Sequence, residues 1–177
     1  FILPSLNVKY ALNENQNLRF SFSSTVSNPE FKEVAPFVYE DVTQRIGGNP
    51  DLLRDPSFSR IYNLDFKYEW FMKPSELLSI SAFAKAINNP VNLVVANDAT
   101  GTQRFFRTGN QAQVLGFEFE LRKGLITDAD ERSILSTGIN ATYTYTKQDL
   151  KSSNGIFSTT FDRGSDQLQG ASPLLLN

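Results

Sequence analysis

The sequence predicts an all-β protein, an antiparallel meander of long strands. Three observations carry that expectation. Apolar residues recur at every second position through most of the chain, and the alternating runs reach about ten residues where a globular strand has about five or six. The connections between them alternate between short and long. A period of 3.6 is almost nowhere sustained, so helices have little place in this scheme.

The first pair joins Leu6, Val8, Tyr10 and Leu12, alternating with Asn7, Lys9 and Ala11, to Leu18, Phe20 and Phe22, alternating with Arg19, Ser21 and Ser23. Asn13-Glu14-Asn15-Gln16-Asn17 between them is rich in turn formers, so a hairpin is expected. A second pair sets Tyr62, Leu64, Phe66, Tyr68 and Trp70 against Asn63, Asp65, Lys67 and Glu69, turns at Lys73-Pro74-Ser75, and returns through Leu78, Ile80, Ala82 and Ala84 towards Lys85. The third unit starts at Asn92 to Val95, crosses Asn97-Asp98-Ala99-Thr100-Gly101, and comes back through Phe105 and Phe106 to Leu115, Phe117, Phe119 and Leu121. Opposite these lie Gly116, Glu118, Glu120 and Arg122. After the polar segment Gly124 to Ser133, Leu135, Thr137, Ile139, Ala141, Tyr143 and Tyr145 alternate with Ser136, Gly138, Asn140, Thr142, Thr144 and Thr146. Short connections at residues 13–17, 72–76 and 124–133 then share one end of the sheet, and long loops near residues 25–60 and 147–168 share the other.

Composition removes most chemistry. The 177 residues include no His and no Cys, which excludes disulfides, thiolate metal sites, thiol nucleophiles and the usual general base. Seventeen basic and nineteen acidic side chains leave a net charge of -2, so nucleic acid is not an expected partner. No Gly-x-Gly-x-x-Gly or Gly-x4-Gly-Lys-Ser/Thr motif occurs, and neither a cofactor nor an enzymatic activity is expected. Asp128, Asp130 and Glu131 could offer oxygens to a hard cation, but they lack the Asp-x-Asp-x-Asp-Gly spacing and read as a solvated turn. Glu118 and Glu120 lie about 7 Å apart along one strand, within the range of an inverting glycosidase pair, yet alternation produces that spacing constantly. Asn140-Ala141-Thr142 fits the glycosylation tripeptide but falls in mid-strand.

Alternation is shared with a soluble β-sandwich binding module, which would use the long loops to recognise a glycan or a protein. Strand length, aromatic placement, a polar second face and the turn–loop asymmetry fit a transmembrane strand sheet instead. No apolar run reaches the roughly 18 residues of a membrane helix, and no basic-then-apolar leader precedes the first strand. Tyr68 and Trp70 stand beside a short turn and Tyr143 and Tyr145 beside a long loop, as two interfacial girdles would. Asp65, Lys67, Glu69, Glu118, Glu120 and Arg122 are then lumen-facing candidates. The two readings differ in a checkable way: a sandwich shields Leu64, Phe66, Ile80, Phe117, Phe119 and Ile139, and a barrel wall exposes them.

Several runs carry a family resemblance. Ser27-Asn28-Pro29-Glu30-Phe31-Lys32-Glu33-Val34-Ala35-Pro36-Phe37 with Gly47-Gly48-Asn49-Pro50-Asp51-Leu52, Tyr68-Glu69-Trp70-Phe71, and Leu78 to Lys85 with Asn89-Pro90 form the first part. Gly116 to Lys123 and Leu168-Gln169-Gly170-Ala171-Ser172-Pro173 with Leu176-Asn177 complete it. As a set they resemble the barrel of TonB-dependent outer-membrane receptors of the Bacteroidetes type. The resemblance implies a barrel of about 22 strands closed by a plug, which imports a scarce siderophore, vitamin or saccharide with energy from the TonB complex. Outer-membrane lipid, the small-molecule or oligosaccharide ligand, and the TonB complex through the plug are the partners it implies. This chain shows about seven or eight strands and no plug, begins at Phe1 with its single Met at position 72, and ends at Asn177 without a terminal aromatic. It is therefore expected to be one partial barrel domain over residues 1–177, a slice that transports nothing alone. In its loops, Phe31, Phe37, Tyr39, Phe157 and Phe161 are the candidate ligand contacts.

Overall fold

The computed structural model describes residues 2–40, 42–54, 56–96, 99–128 and 133–177. Its elements in chain order are β1 (Ser5–Asn13), β2 (Gln16–Ser27), α1 (Phe31–Val34), β3 (Val38–Glu40), β4 (Arg45–Gly47), a 3-10 turn (Pro50–Leu53), β5 (Ser59–Lys73), β6 (Glu76–Asn88), β7 (Val91–Val95), β8 (Gln103–Arg107), β9 (Gln111–Thr127), β10 (Ser133–Asp149), β11 (Ser165–Asp166) and β12 (Leu174–Leu176). The long strands form one eight-stranded sheet in the order β1-β2-β5-β6-β9-β10-β11, with β12 also paired to β10. Every pairing in it is antiparallel. The expected meander of long strands is therefore present.

Turn chemistry sets where the strands reverse. β1 and β2 close at Glu14 and Asn15, tighter than the five-residue turn the sequence suggested, with the Asn15 N–H donating to Asn13 Oδ1 at 2.9 Å. β5 and β6 close at Pro74 and Ser75. β9 and β10 are 17 residues each; β9 runs into the expected Gly124 to Ser133 turn as far as Thr127, which pairs with Ser133. At the other end the connections are all long: residues 28–58, 89–110 and 150–164.

That middle loop corrects the third unit of the sequence reading. Asn92 to Val95 and Phe105–Phe106 do form strands, but β7 and β8 are five residues each and belong to a separate four-stranded sheet, ordered β3-β4-β8-β7. The polar crossing was placed between Asn97 and Gly101, where residues 97 and 98 lie outside the described residues. β5 and β9 are near-neighbours in the long sheet. They flank β6 and run parallel to each other.

Register fixes the faces, because residues paired across antiparallel strands share one side of the sheet. One row runs Val8–Phe20–Phe66–Ala82–Phe117–Tyr143–Leu174, and the next Tyr10–Leu18–Tyr68–Ile80–Phe119–Ala141–Leu176. The alternate rows run Lys9–Arg19–Lys67–Ser81–Glu118–Thr142 and Asn17–Glu69–Ser79–Glu120–Asn140. Phe66 and Glu118 thus lie on opposite faces, as the membrane reading requires. The sandwich reading fails, because Leu64, Phe66, Ile80, Phe117, Phe119 and Ile139 are 38 to 62% exposed. Among the described residues no second sheet covers them.

Buried apolar side chains among the described residues are Ala35, Leu52, Ala96, Phe106 and Ala112, so the core sits in the loop body and at its junction with the sheet. The polar face is also less uniform than its charges suggest. Ile61, Ile87 and Ala112 form an apolar row near the loops, and a hollow of about 210 Å³ there is lined by Ser59, Ile61 and Ile87 together with Glu33, Pro90 and Leu168 from the loops. The loop body leans over the polar face.

On that same face the Phe83 ring crosses Gly116, its register partner, and an added Cβ at Gly116 would overlap the ring. Gly116→Val in the full-length protein should cost about 1–3 kcal/mol by overpacking. The check is the midpoint of the heat-induced shift in gel mobility, with Gly138→Val as comparison, because an added Cβ there meets only the Leu121 carbonyl oxygen at 3.9 Å.

Candidate functional site

The loop body is built from short elements tied by side chains. α1 begins at a capping box in which the Glu30 N–H donates to Glu33 Oε2 at 2.8 Å. Asn49 caps the 3-10 turn by accepting from the Asp51 N–H at 3.0 Å, and its own N–H donates to the Glu33 carbonyl at 2.6 Å. Gly48 has to be glycine, since a Cβ would overlap the Ala35 carbonyl oxygen.

Two arginines from β8 join the three loops. Arg104 is buried, donates from Nη1 to the Gly48 carbonyl at 3.0 Å, and lies 3.8 Å from the centroid of the Phe157 ring. Arg107 donates to the carbonyls of Asn89 at 2.9 Å and Leu52 at 3.3 Å. Burial lowers the Arg107 pKa from its usual value. From the first loop the Asp51 carboxylate accepts the N–H of Ile156 in the third. At the base, Asn92 donates to Thr108 Oγ1 at 2.6 Å and to Gln148 Oε1 at 2.8 Å, and Thr108 donates to the same Gln148 oxygen at 3.0 Å.

Of the five loop aromatics named from the sequence, three come together. Phe31 on α1, Phe37 in the bend ahead of β3 and Tyr39 on β3 form an exposed ladder, with centroids 6.2 Å apart for Phe31–Phe37 and 5.0 Å for Phe37–Tyr39. Phe157 sits elsewhere, half-buried under Arg104, and Phe161 is half-buried away from the ladder. Sequence reasoning missed Arg104, Arg107 and Asn92. The one available signal was alternation in Gln103–Arg107, which puts Arg104 with Phe106 on the buried side.

All six charged candidates of the sheet lie on its polar face. Arg19 Nε meets Glu69 Oε2 at 2.7 Å and Lys67 Nζ meets Glu69 Oε1 at 3.4 Å, so Glu69 is clamped between two cations and buried. Arg122 pairs with Glu120 at 2.6 Å, Ser81 donates to Glu118 at 3.1 Å, and Ser21 donates to Asp65 at 3.3 Å. Glu118 and Glu120 are thus each engaged by a different neighbour. Of the Asp128, Asp130 and Glu131 cluster, the last two lie outside the described residues.

A sheet with one exposed apolar face, one charged face, short turns at one end and a loop body at the other has the architecture of a transmembrane β-barrel wall. Residues 1–177 match the family model described as TonB dependent receptor-like, beta-barrel, and the chain belongs to that family. Two solved structures share the fold. The siderophore receptor PirA of Pseudomonas aeruginosa superposes at a TM-score of 0.63 with 18% identity, over 81% of this chain and 28% of that one. The ferric enterobactin receptor PfeA of the same organism, solved with enterobactin, gives 0.58 and 18% over 83% of this chain and 22% of that one. The chain thus spans about a quarter of the length of these receptors. No curated protein matches it.

Where the third loop meets the sheet, burial pushes the Asp149 carboxyl up, but N–H donation from Gln111 at 2.7 Å and Asn110 at 3.0 Å outweighs it and holds the pKa below the usual carboxylate range. A depressed folded pKa stabilises above the unfolded value and loses that contribution as pH falls through the folded one. Amide-exchange protection at Asn110 and Gln111, corrected for intrinsic rates, should hold from neutrality down to about pH 4 and fall below it. Asp149→Asn should lower that protection at pH 7 by about 1 kcal/mol and flatten the pH dependence.

Proposed function

We propose that the chain forms a section of wall and outer loops in a bacterial outer-membrane receptor that imports a scarce small molecule. TonB-derived energy would reach it through a plug domain carried elsewhere in the parent chain. The observation that carries this reading is the opposition of the two faces: a continuous exposed apolar belt against rows of compensated charge. Phe66 would face lipid, and Asp65, Lys67, Glu69, Glu118, Glu120 and Arg122 would line the lumen. From Tyr62 to Trp70 the belt runs about 26 Å along β5, the scale of the apolar band of an outer-membrane barrel. The loop body would stand on the outer side, where Phe31, Phe37 and Tyr39 offer ring faces to a ligand. Family membership and siderophore receptors among the structural relatives support a small-molecule ligand, and the quoted loop and strand runs support a Bacteroidetes-type parent.

Adjacent residues test the faces without any ligand. In outer membranes carrying the full receptor, Phe66→Cys should react only with a lipid-soluble maleimide and Asp65→Cys with a water-soluble one; equal reactivity towards both reagents would refute the reading. Phe66→Arg should destabilise the barrel by about 2–4 kcal/mol.

The ladder has its own test. Combined Phe37→Ala and Tyr39→Ala should weaken binding about tenfold, or 1.4 kcal/mol, for whichever ferric siderophore, corrinoid or oligosaccharide probe the intact receptor holds. Unchanged affinity, measured by equilibrium binding, would remove the ladder from the ligand site.

A further inference from the structure

The apolar face is not flat. On β6 three successive outward positions are Ala82, Ala84 and Ala86, whereas the flanking strands carry Leu64 and Phe66 on one side and Leu115 and Phe117 on the other. Large residues on both sides of a floor of alanines leave a groove along β6. It holds two adjoining apolar hollows of about 350 and 270 Å³, which share Leu64, Ala84 and Leu115. Towards the loops the character changes within one row. The row Tyr62–Ala86–Gln113–Lys147 follows directly on Leu64–Ala84–Leu115–Tyr145, a step of about 7 Å along the strands. Gln113 lines both the upper apolar hollow and a larger polar one of about 710 Å³, whose walls include Asn88, Gln111 and Lys147. Lys147 is exposed there, while the Asp149 carboxylate beside it is taken up by backbone N–H groups.

We propose that this groove is a lipid site, with an acyl chain lying over Ala82, Ala84 and Ala86 and a phosphate-bearing headgroup received by Lys147 and the carboxamides of Gln113, Gln111 and Asn88. The occupant follows from position. The groove is continuous with the belt that meets hydrocarbon, so what fills it is lipid, and its mouth opens at the aromatic row where headgroups begin. A chain seated between two ridges touches protein on three sides instead of one and so gains dispersion contacts that a flat wall does not give. The ammonium of Lys147 supplies the charge complementarity for an anionic headgroup. The inference rests on the outer-membrane placement proposed above and adds a selected lipid to it.

The full receptor, extracted in mild detergent and given dioleoyl phosphatidylglycerol or dioleoyl phosphatidylcholine, can be weighed by native mass spectrometry. The wild type should retain phosphatidylglycerol over phosphatidylcholine by about fivefold, roughly 1 kcal/mol. Ala84→Phe, which fills the groove with a side chain the membrane tolerates, should lose retention of both, while Ile139→Phe on the same face outside the groove keeps it. Lys147→Gln, at an exposed position, should bring phosphatidylglycerol retention down to that of phosphatidylcholine. Equal retention of the two lipids by wild type, or equal retention by Ala84→Phe and Ile139→Phe, would overturn the proposal. Failure of the membrane placement itself would instead appear in the Phe66→Cys and Asp65→Cys labelling, which the groove variants do not affect.

Discussion

Everything in this chain depends on lateral backbone pairing. A strand bordered on one face by hydrocarbon can hydrogen-bond only to the strands beside it, because each unpaired N–H or C=O in that medium costs several kcal/mol. The register is accordingly unbroken across the full span from β2 through β5 and β6 to β9, with shifts confined to hairpin ends near Ala11, Phe71 and Ser133. Pairing of this kind fixes which residues share a face, and a slip by one residue would move Phe66 and Phe117 to the polar face and Lys67 and Glu118 to the apolar one. The alternation in sequence is the consequence of that constraint and at the same time what enforces it.

Because the apolar face has no protein partner, the sheet cannot supply a core of its own. Burial is found where the loops meet, around Phe106, Leu52 and Ala35, and it is held by directed polar contacts more than by area. Arg104 and Arg107 take carbonyls that loops without regular pairing would otherwise leave bare, and Asp51 bridges the first loop to the third. The same scaffold keeps Phe31, Phe37 and Tyr39 outside the core, where their rings remain free to meet something else.

The wall was legible in the sequence and the loop body was not, for a physical reason. A strand carries its face assignment in period two, so Tyr62 to Trp70 or Leu115 to Arg122 can be sorted without knowing the neighbours. Val91–Val95 and Gln103–Arg107 obey the same alternation and so were read into the wall; only their five-residue length marks them as too short to cross it. The contacts that define the loop body join Gly48 to Arg104, Leu52 to Arg107 and Asp51 to Ile156, across dozens of residues with no periodic trace. Phe157 therefore looked like a ligand contact, although its ring is covered by an arginine from another loop.

The charges of the polar face point to where selectivity resides. Asp65, Glu69, Glu118 and Glu120 share it with Lys9, Arg19, Lys67, Lys85 and Arg122, and the cations concentrate on β1, β2 and β5 while Glu118 and Glu120 stand on β9. Glu69 and Glu120 are matched by cations at 2.6 to 3.4 Å, and hydroxyls engage Asp65 and Glu118. The two ion-paired acids present little net field at a distance, since paired charges in water-facing surroundings cancel within a Debye length of about 8 Å. On the proposed reading this face would wet the lumen. On the proposed reading, discrimination between ligands would fall to the loop body, with its exposed rings and cross-tied backbone.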